Sequence, residues 1–367
     1  MADTGPAEPV AVDTADAGPT VAGLGEAGLL ARILPRLAGA PALLGPGDDA
    51  AVVAAPDGRF VVSVDTLVQD QDFRLEWPNG YRTTGFDVGW KSAAQNLSDI
   101  NAMGAVATAL VMSLTLPAHT PVAWVESLAD GYAAAVRTLG ADRCALAGGD
   151  LGAGSELAVT AAATGSLEGR AAVVRSGARP GDTLAVCGVL GAAAAGLALL
   201  ESPVPYATLG EAERALVARQ ARPLPPLAAG PEAARAGARA MLDLSDGLVR
   251  DAGRMAAASG CGIDLEAAAL AEDAAALAGA GTATGVPPLL WVLSGGEDHG
   301  LLAAFPPGTP LPEGFRRVGA VVEASVVEAA GAGAAGAAAP VRVDGRPAAE
   351  ALARLHGQRP GYDHFGG

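Results

Sequence analysis

Lysine is all but missing from this chain: Lys91 is the only one in 367 residues. Lys and Arg together number 24 against 40 acids, a net charge of −16. That balance argues against a surface for nucleic acid or anionic membrane. A phosphorylated substrate is still admitted, provided metal ions offset the repulsion. Aromatics are scarce too, at 4% with four Trp, which speaks against a two-carboxylate glycosidase with stacking platforms for sugar. The three cysteines, Cys144, Cys187 and Cys261, are odd in number and lack ligand spacing. They predict a reduced, cytoplasmic protein without structural zinc. No cationic residue precedes Arg32, so no signal peptide is expected. The longest uncharged apolar run, residues 184–200, is short and broken by glycines, so no membrane span is expected either.

Familiar nucleotide signatures are also missing. The GWKS around Lys91 lacks the upstream glycines of a P-loop, and there is no H-R-D or D-F-G set and no G-x-S-x-G elbow. Residues 183–200 read as strand, glycine turn and helix, yet they are not G-x-G-x-x-G and no acidic partner follows. His299 sits beside Glu297 and Asp298 without a second His or Cys that would make zinc plausible.

Acids at strand ends are what the chain does have. The length predicts two domains: a disordered tail over 1–23, an N-terminal domain over 24–168 and a C-terminal domain over 169–367. In GPGDDAAVVAAPDGRFVVSVD, residues 45–65, a turn carrying Asp48 and Asp49 precedes two β-rich segments. Ser63 and Asp65, two apart on the second, share a face. Asp70, Asp72 and Arg74 follow the strand end. Residues 85–105 predict a helix whose stripe of Val88, Ala93, Asn96 and Ile100 puts Asp99 on a half-buried face. Tyr132, in a helix over 122–139, reads as core or rim. The strand CALAGGD ends on Gly148, Gly149 and Asp150, where paired glycines admit close approach of a ligand or simply make a turn. Arg175, beyond the next strand, suits a phosphate or solvent. MLDLSDGL brings Asp243, Ser245 and Asp246 to a helix N-terminus, more acid than a cap needs. WVLSGGED repeats that plan as a predicted strand, Gly295–Gly296 and Glu297. Residues 329–340 are an Ala/Gly linker, and GYDHFGG ends the chain. Many carboxylates with few basic residues describe a phosphate site with several Mg²⁺ ions.

GPGDDAAVV, VSVDTLV, NLSDINAMGA, AGGD, RSGARPGD, LDLSDGL, LSGGED and GYDHF occur in this order in thiamine-monophosphate kinases, which the chain resembles over roughly residues 24 to 367. The resemblance implies an α/β (α+β) fold of two domains, of the aminoimidazole ribonucleotide synthetase type. The N-terminal sheet would pair in a homodimer, and the active site would lie between the domains. It implies ATP as co-substrate, thiamine monophosphate as acceptor and several Mg²⁺. By position, Asp49, Ser63, Asp65, Asp99, Asp150, Asp243 and Asp246 resemble the metal ligands, with Asp49, Asp99 and Asp243 central to transfer. Tyr132, Gly149, Asp150, Arg175 and Ser245 resemble nucleotide contacts; Glu297 and Tyr362 resemble contacts to the thiamine moiety. Two positions depart from the pattern. Val64 stands where a Thr often serves a metal, so a backbone carbonyl would replace it. Asp72 replaces a substrate-facing His. Another ATP-dependent synthetase of the same fold, or a non-catalytic nucleotide or metal sensor, is the competing expectation.

Overall fold

The structure, a computed structural model, describes residues 19–20, 29, 32–36, 55–324 and 341–355. Asp48, Asp49, Tyr362, the linker over 329–340 and nearly all of the tail over 1–23 lie outside the described residues.

The first half is β1 (Val61–Val68), α1 (Gly85–Ala102), β2 (Val106–Leu116), α2 (Val122–Thr138), β3 (Ala145–Ala153) and β4 (Ala158–Ser166). Its four described strands run β1-β4-β2-β3, antiparallel except for the β2–β3 pair. Thr84 and Asp87 start α1 with a reciprocal capping box, each side chain accepting the other's backbone N–H. Helices α1 and α2 approach at glycines: a Cβ on Gly89 would lie 2.1 Å from the Leu128 carbonyl, and one on Gly131 2.2 Å from that of Phe86. One face of the sheet is buried under a core that includes Leu97, Ile100, Leu110, Leu128 and Val159. The other face is open, with Val62 63% and Val64 61% exposed.

The second half holds β5 (Thr183–Cys187), α3 (Ala192–Glu201), α4 (Glu211–Ala221), α5 (Ala229–Arg235), β6 (Ala240–Asp243), α6 (Leu248–Ser259) and β7 (Gly262–Leu265). Short helices α7 (Ala271–Ala276), α8 (Ala278–Thr284) and α9 (Pro288–Ser294) precede β8 (Leu301–Phe305), β9 (Phe315–Val322), β10 (Val341–Val343), β11 (Arg346–Pro347) and α10 (Ala348–Arg354). The sheet order is β11-β10-β7-β9-β5-β8-β6. Among the described residues only β7 and β10 of this sheet pair in parallel. The fold is therefore mixed α/β, as the resemblance implied.

WVLS corrects the sequence reading: it is the end of helix α9. Pro288 occupies the first turn, where its missing N–H costs nothing. Trp291, Val292 and Leu293 are buried as consecutive helical residues, and the sheet position belongs to LLAAF in β8.

Helix α1 joins the halves. It is buried nearly all round, as befits a helix with packed neighbours on every side. Trp90 Nε1 donates to the Pro223 carbonyl at 2.8 Å, and Asn101 exchanges bonds with the Pro226 carbonyl and the Gly230 N–H.

Candidate active site

Asp99 lies on the side of α1 that faces β6, and its carboxylate accepts a hydrogen bond from Ser63 Oγ on β1. One turn earlier on that side is Gln95, and another turn earlier Lys91. The Asn96 stripe is instead wholly buried, with Asn96 Nδ2 donating to the Ser92 carbonyl. Ser98 Oγ donates to Asp243 Oδ2 at 3.1 Å, tying α1 to the end of β6.

Two strand-end turns of the second half are sewn together by backbone bonds. The Glu297 N–H donates to the Ser245 carbonyl at 2.9 Å and the His299 N–H to that of Leu244 at 3.1 Å. Gly247, at φ 111°, lets the first turn pass Ser294: a Cβ there would lie 2.6 Å from the Ser294 carbonyl. Beneath that turn Asp251 accepts the N–H groups of Asp246 and Gly247. Asp298 accepts those of Gly191 and Ala193 and so caps α3. The helix N-terminus that could have taken a dinucleotide phosphate is thus filled by the protein's own carboxylate.

These elements enclose a cavity of about 520 Å³. Of the residues anticipated from sequence, Asp65, Asp72, Asp99, Asp243, Ser245, Asp246 and Glu297 line it. Arg254, which binds Asp246 and Asp251, lines it as well, as do His299, Gln220 and Trp77. None of these four was singled out as a site residue from sequence; for His299 the adjacent GGED was the only signal. Asp72 turns one carboxylate oxygen back onto the Val68 N–H at 2.8 Å, closing its own loop.

Other anticipated residues lie elsewhere. Strand alternation points the Val64 side chain to the open face, away from Ser63 and Asp65. Asp150 is exposed and stands opposite Ser113, itself exposed, on the same open face. Gly149 pairs with Met112, and a Cβ on it would lie 1.8 Å from the Met112 carbonyl, so strand packing alone requires glycine there. Arg175 is exposed and outside the cavity lining. Tyr132 is 0% exposed, its hydroxyl bonded to Ser92 Oγ at 2.5 Å. With no surface to offer a nucleotide, it steadies α1 from behind.

Burial, and then the charge of Asp243, push Asp99 up to about 7 despite the Ser63 bond. Burial opposes a charge on His299 but the Asp243 carboxylate, 3.3 Å from its Nδ1, prevails and raises it. Burial similarly raises Asp251 to about 7. Burial also works against the Glu297 carboxylate, yet the Lys91 ammonium at 2.8 Å wins and holds it below its usual range. Among the described residues neither Asp65 nor Asp99 has an ion-pair partner, and no trio of His, Cys, Asp or Glu encloses a metal unaided.

The raised groups have a shared consequence for stability. Asp99 and Asp251 bind protons more tightly folded than unfolded, and so does His299. Stability should therefore fall as pH rises through about 7. We expect the Tm of chelator-treated protein to be several degrees higher at pH 6 than at pH 8, and Mg²⁺ to restore most of the difference. A flat profile in differential scanning calorimetry would contradict the shared burial of these groups.

The family model "AIR synthase related protein, N-terminal domain" matches residues 47–167. A thiamine-monophosphate kinase of Mycobacterium tuberculosis is 48% identical over 306 residues, covering 83% of this chain and 87% of the relative. Among solved structures, the thiamine-monophosphate kinase of Stenotrophomonas maltophilia superposes with a TM-score of 0.67 at 31% identity, covering 87% of this chain and 96% of that one. The structure of AaThiL complexed with AMPPCP and TMP gives 0.68 at 29% identity, covering 93% and 97%.

Proposed function

The chain belongs to the thiamine-monophosphate kinase family, and from that premise we propose that it transfers the γ-phosphoryl group of ATP to thiamine monophosphate, yielding thiamine diphosphate and ADP. The observation that carries this reading is the meeting of Asp65 and Asp99 with Asp243 and Asp246 in one cavity beside Glu297. Donor and acceptor are both anions, so charge repulsion is the main obstacle to reaction. A phosphate monoester oxygen is already nucleophilic at neutral pH and needs no strong base, so orientation and charge do the rest.

The donor set fits Mg²⁺. Among the described residues Asp65 and Asp99 offer carboxylate oxygens without an ion-pair partner, and Mg²⁺ characteristically takes one or two carboxylates together with substrate phosphates. Asp65, Asp99, Asp243 and Asp246 would hold it, with Asp49, Ser63, Asp150 and the Val64 carbonyl as further ligands. When bound, it supplies the positive charge that offsets phosphate repulsion. The protein's own residues set the geometry: Ser63 orients Asp99, Ser98 and His299 orient Asp243, and the paired turns fix Ser245 against Glu297. Ser245 and Arg175 are assigned to the nucleotide, with Gly149 shaping its approach; Glu297, Asp72 and Tyr362 are assigned to the thiamine moiety.

The open face of the first sheet suits a homodimer. Val64, Ala162 and Val111 lie in register across β1, β4 and β2, and Val111 is 45% exposed. Asp150 shares this face, so we assign it to the site of the partner subunit. The domain boundaries near residues 24 and 169 and a cytoplasmic location belong to the same reading. Among the described residues no helix is long and apolar enough to cross a membrane.

Incubation with ATP, Mg²⁺ and thiamine monophosphate should yield thiamine diphosphate and ADP in equal amounts. ATP consumption without thiamine diphosphate would favour a sister synthetase; nucleotide binding without any turnover would favour a sensor.

A further inference from the structure

We propose that Lys91 is a positioning residue for the acceptor, fixing the two substrate-facing acids Glu297 and Asp72 relative to each other. The inference rests on the assignment of Glu297 to the thiamine moiety. Lys91 is only 4% exposed, and its ammonium has three acceptors within reach. Glu297 Oε1 lies at 2.8 Å, Gln220 Oε1 at 3.2 Å and the Asp72 carbonyl at 3.3 Å. An ammonium has three N–H donors, so this one is fully used within the protein. It is not spare charge for a phosphate.

Each acceptor comes from a different part of the chain: the loop after β1, the end of α4 and the turn before β8. Glu297 Oε2 in turn accepts from Gln220 Nε2 at 2.7 Å, so both oxygens of the carboxylate are held. The Glu297 backbone sits at φ 67°, a left-handed conformation that a non-glycine residue keeps only when its surroundings dictate it. The result is a carboxylate kept ionised and aimed along the cavity wall. Such a group suits a cationic or amine-bearing nitrogen heterocycle. Removing the ammonium would leave Glu297 partly buried, unpaired and free to reorient, a costly state for a charge. It would also release the Asp72 loop. Nucleotide-facing residues such as Ser245 have no contact with Lys91, so the defect should fall on one substrate.

The test uses the full-length enzyme with Lys91→Met, Glu297→Gln and the double variant. Lys91→Met should raise the KM for thiamine monophosphate ~10-fold or more, with kcat and the KM for ATP changed by less than about threefold, the pattern of a lost uniform binding interaction. Glu297→Gln should raise the same KM, and the double variant should be no worse than the worse single, because the two side chains act as one unit. A Lys91→Met enzyme that loses kcat and both KM values together in step with its Tm would overturn the proposal, as would single effects that multiply in the double. Should Lys91→Met fail to fold, Gln220→Met removes the other support of Glu297 and must show the same one-sided rise. An inactive wild type would instead overturn the kinase reading. An active enzyme whose Glu297→Gln variant keeps its KM would remove the basis in Glu297, and an affected Glu297→Gln beside an unaffected Lys91→Met would sink the Lys91 role alone.

Discussion

Asp99→Asn should reduce kcat by at least ~10³-fold while raising the Tm of metal-free protein at pH 8, since removing one oriented charge from a phosphoryl-transfer site costs on this scale. The two effects have one cause. Asp99 lies beside Asp65 and near Asp243 in the cavity lining, and burial together with the Asp243 charge already pushes its carboxyl up to about 7. At pH 8 the folded protein therefore carries a charge it would rather shed. Asparagine keeps the shape and can still accept the Ser63 bond. It removes the charge, relieving the repulsion and abolishing the proposed metal ligand. Steady-state kinetics at saturating Mg²⁺ and calorimetry at pH 8 read the two halves separately. Near-normal turnover would mean that Asp99 is only a partly buried helix acid. A lower Tm would mean that its charge is compensated by something other than metal.

Much of this site was legible because strand and helix periods place acids locally. The period of two put Ser63 and Asp65 on one face, and Asp99 fell on a half-buried helix side. The surplus of acid in Asp243–Asp246 marked its turn. What could not be read was anything set by contacts between distant segments. Lys91 looks like a failed P-loop lysine until Gln220, 129 residues away, is brought beside it. His299 looks like half of a zinc site until Asp243 lies against its ring. WVLS has the apolar run of a buried strand, yet it closes the helix that Pro288 opens, and LLAAF takes the sheet position. Periodicity also says which residues of one strand share a face, not which face two strands have in common. Asp65 and Asp150 looked like members of one cluster, whereas the β1-β4-β2-β3 pairing puts them at opposite edges and on opposite sides of the sheet.

That separation leads to an expected result in mixed dimers. Val64→Asp should convert the proposed dimer into a monomer, because it sets a charge at one end of an apolar row that pairing would bury. Activity should fall by about 100-fold or more with it if each site needs a partner's Asp150, a loss on the scale of a removed metal ligand. Val64→Ile, which keeps the row apolar, should change neither mass nor rate. Light scattering after size exclusion reads the first quantity and thiamine diphosphate formation the second. Complementation then separates a pairing defect from a role in trans. Asp99→Asn and Asp150→Asn subunits are each expected to be inactive alone. Refolded together, they should form mixed dimers in which, on the proposed pairing, one site has Asp99 from its own chain and Asp150 from the intact partner, while the other has neither. Random pairing makes half the dimers mixed, so about a quarter of wild-type activity should return if a C2 pairing exchanges the residue. Were Asp150 to serve its own subunit, no mixed dimer would hold a complete site and nothing would return.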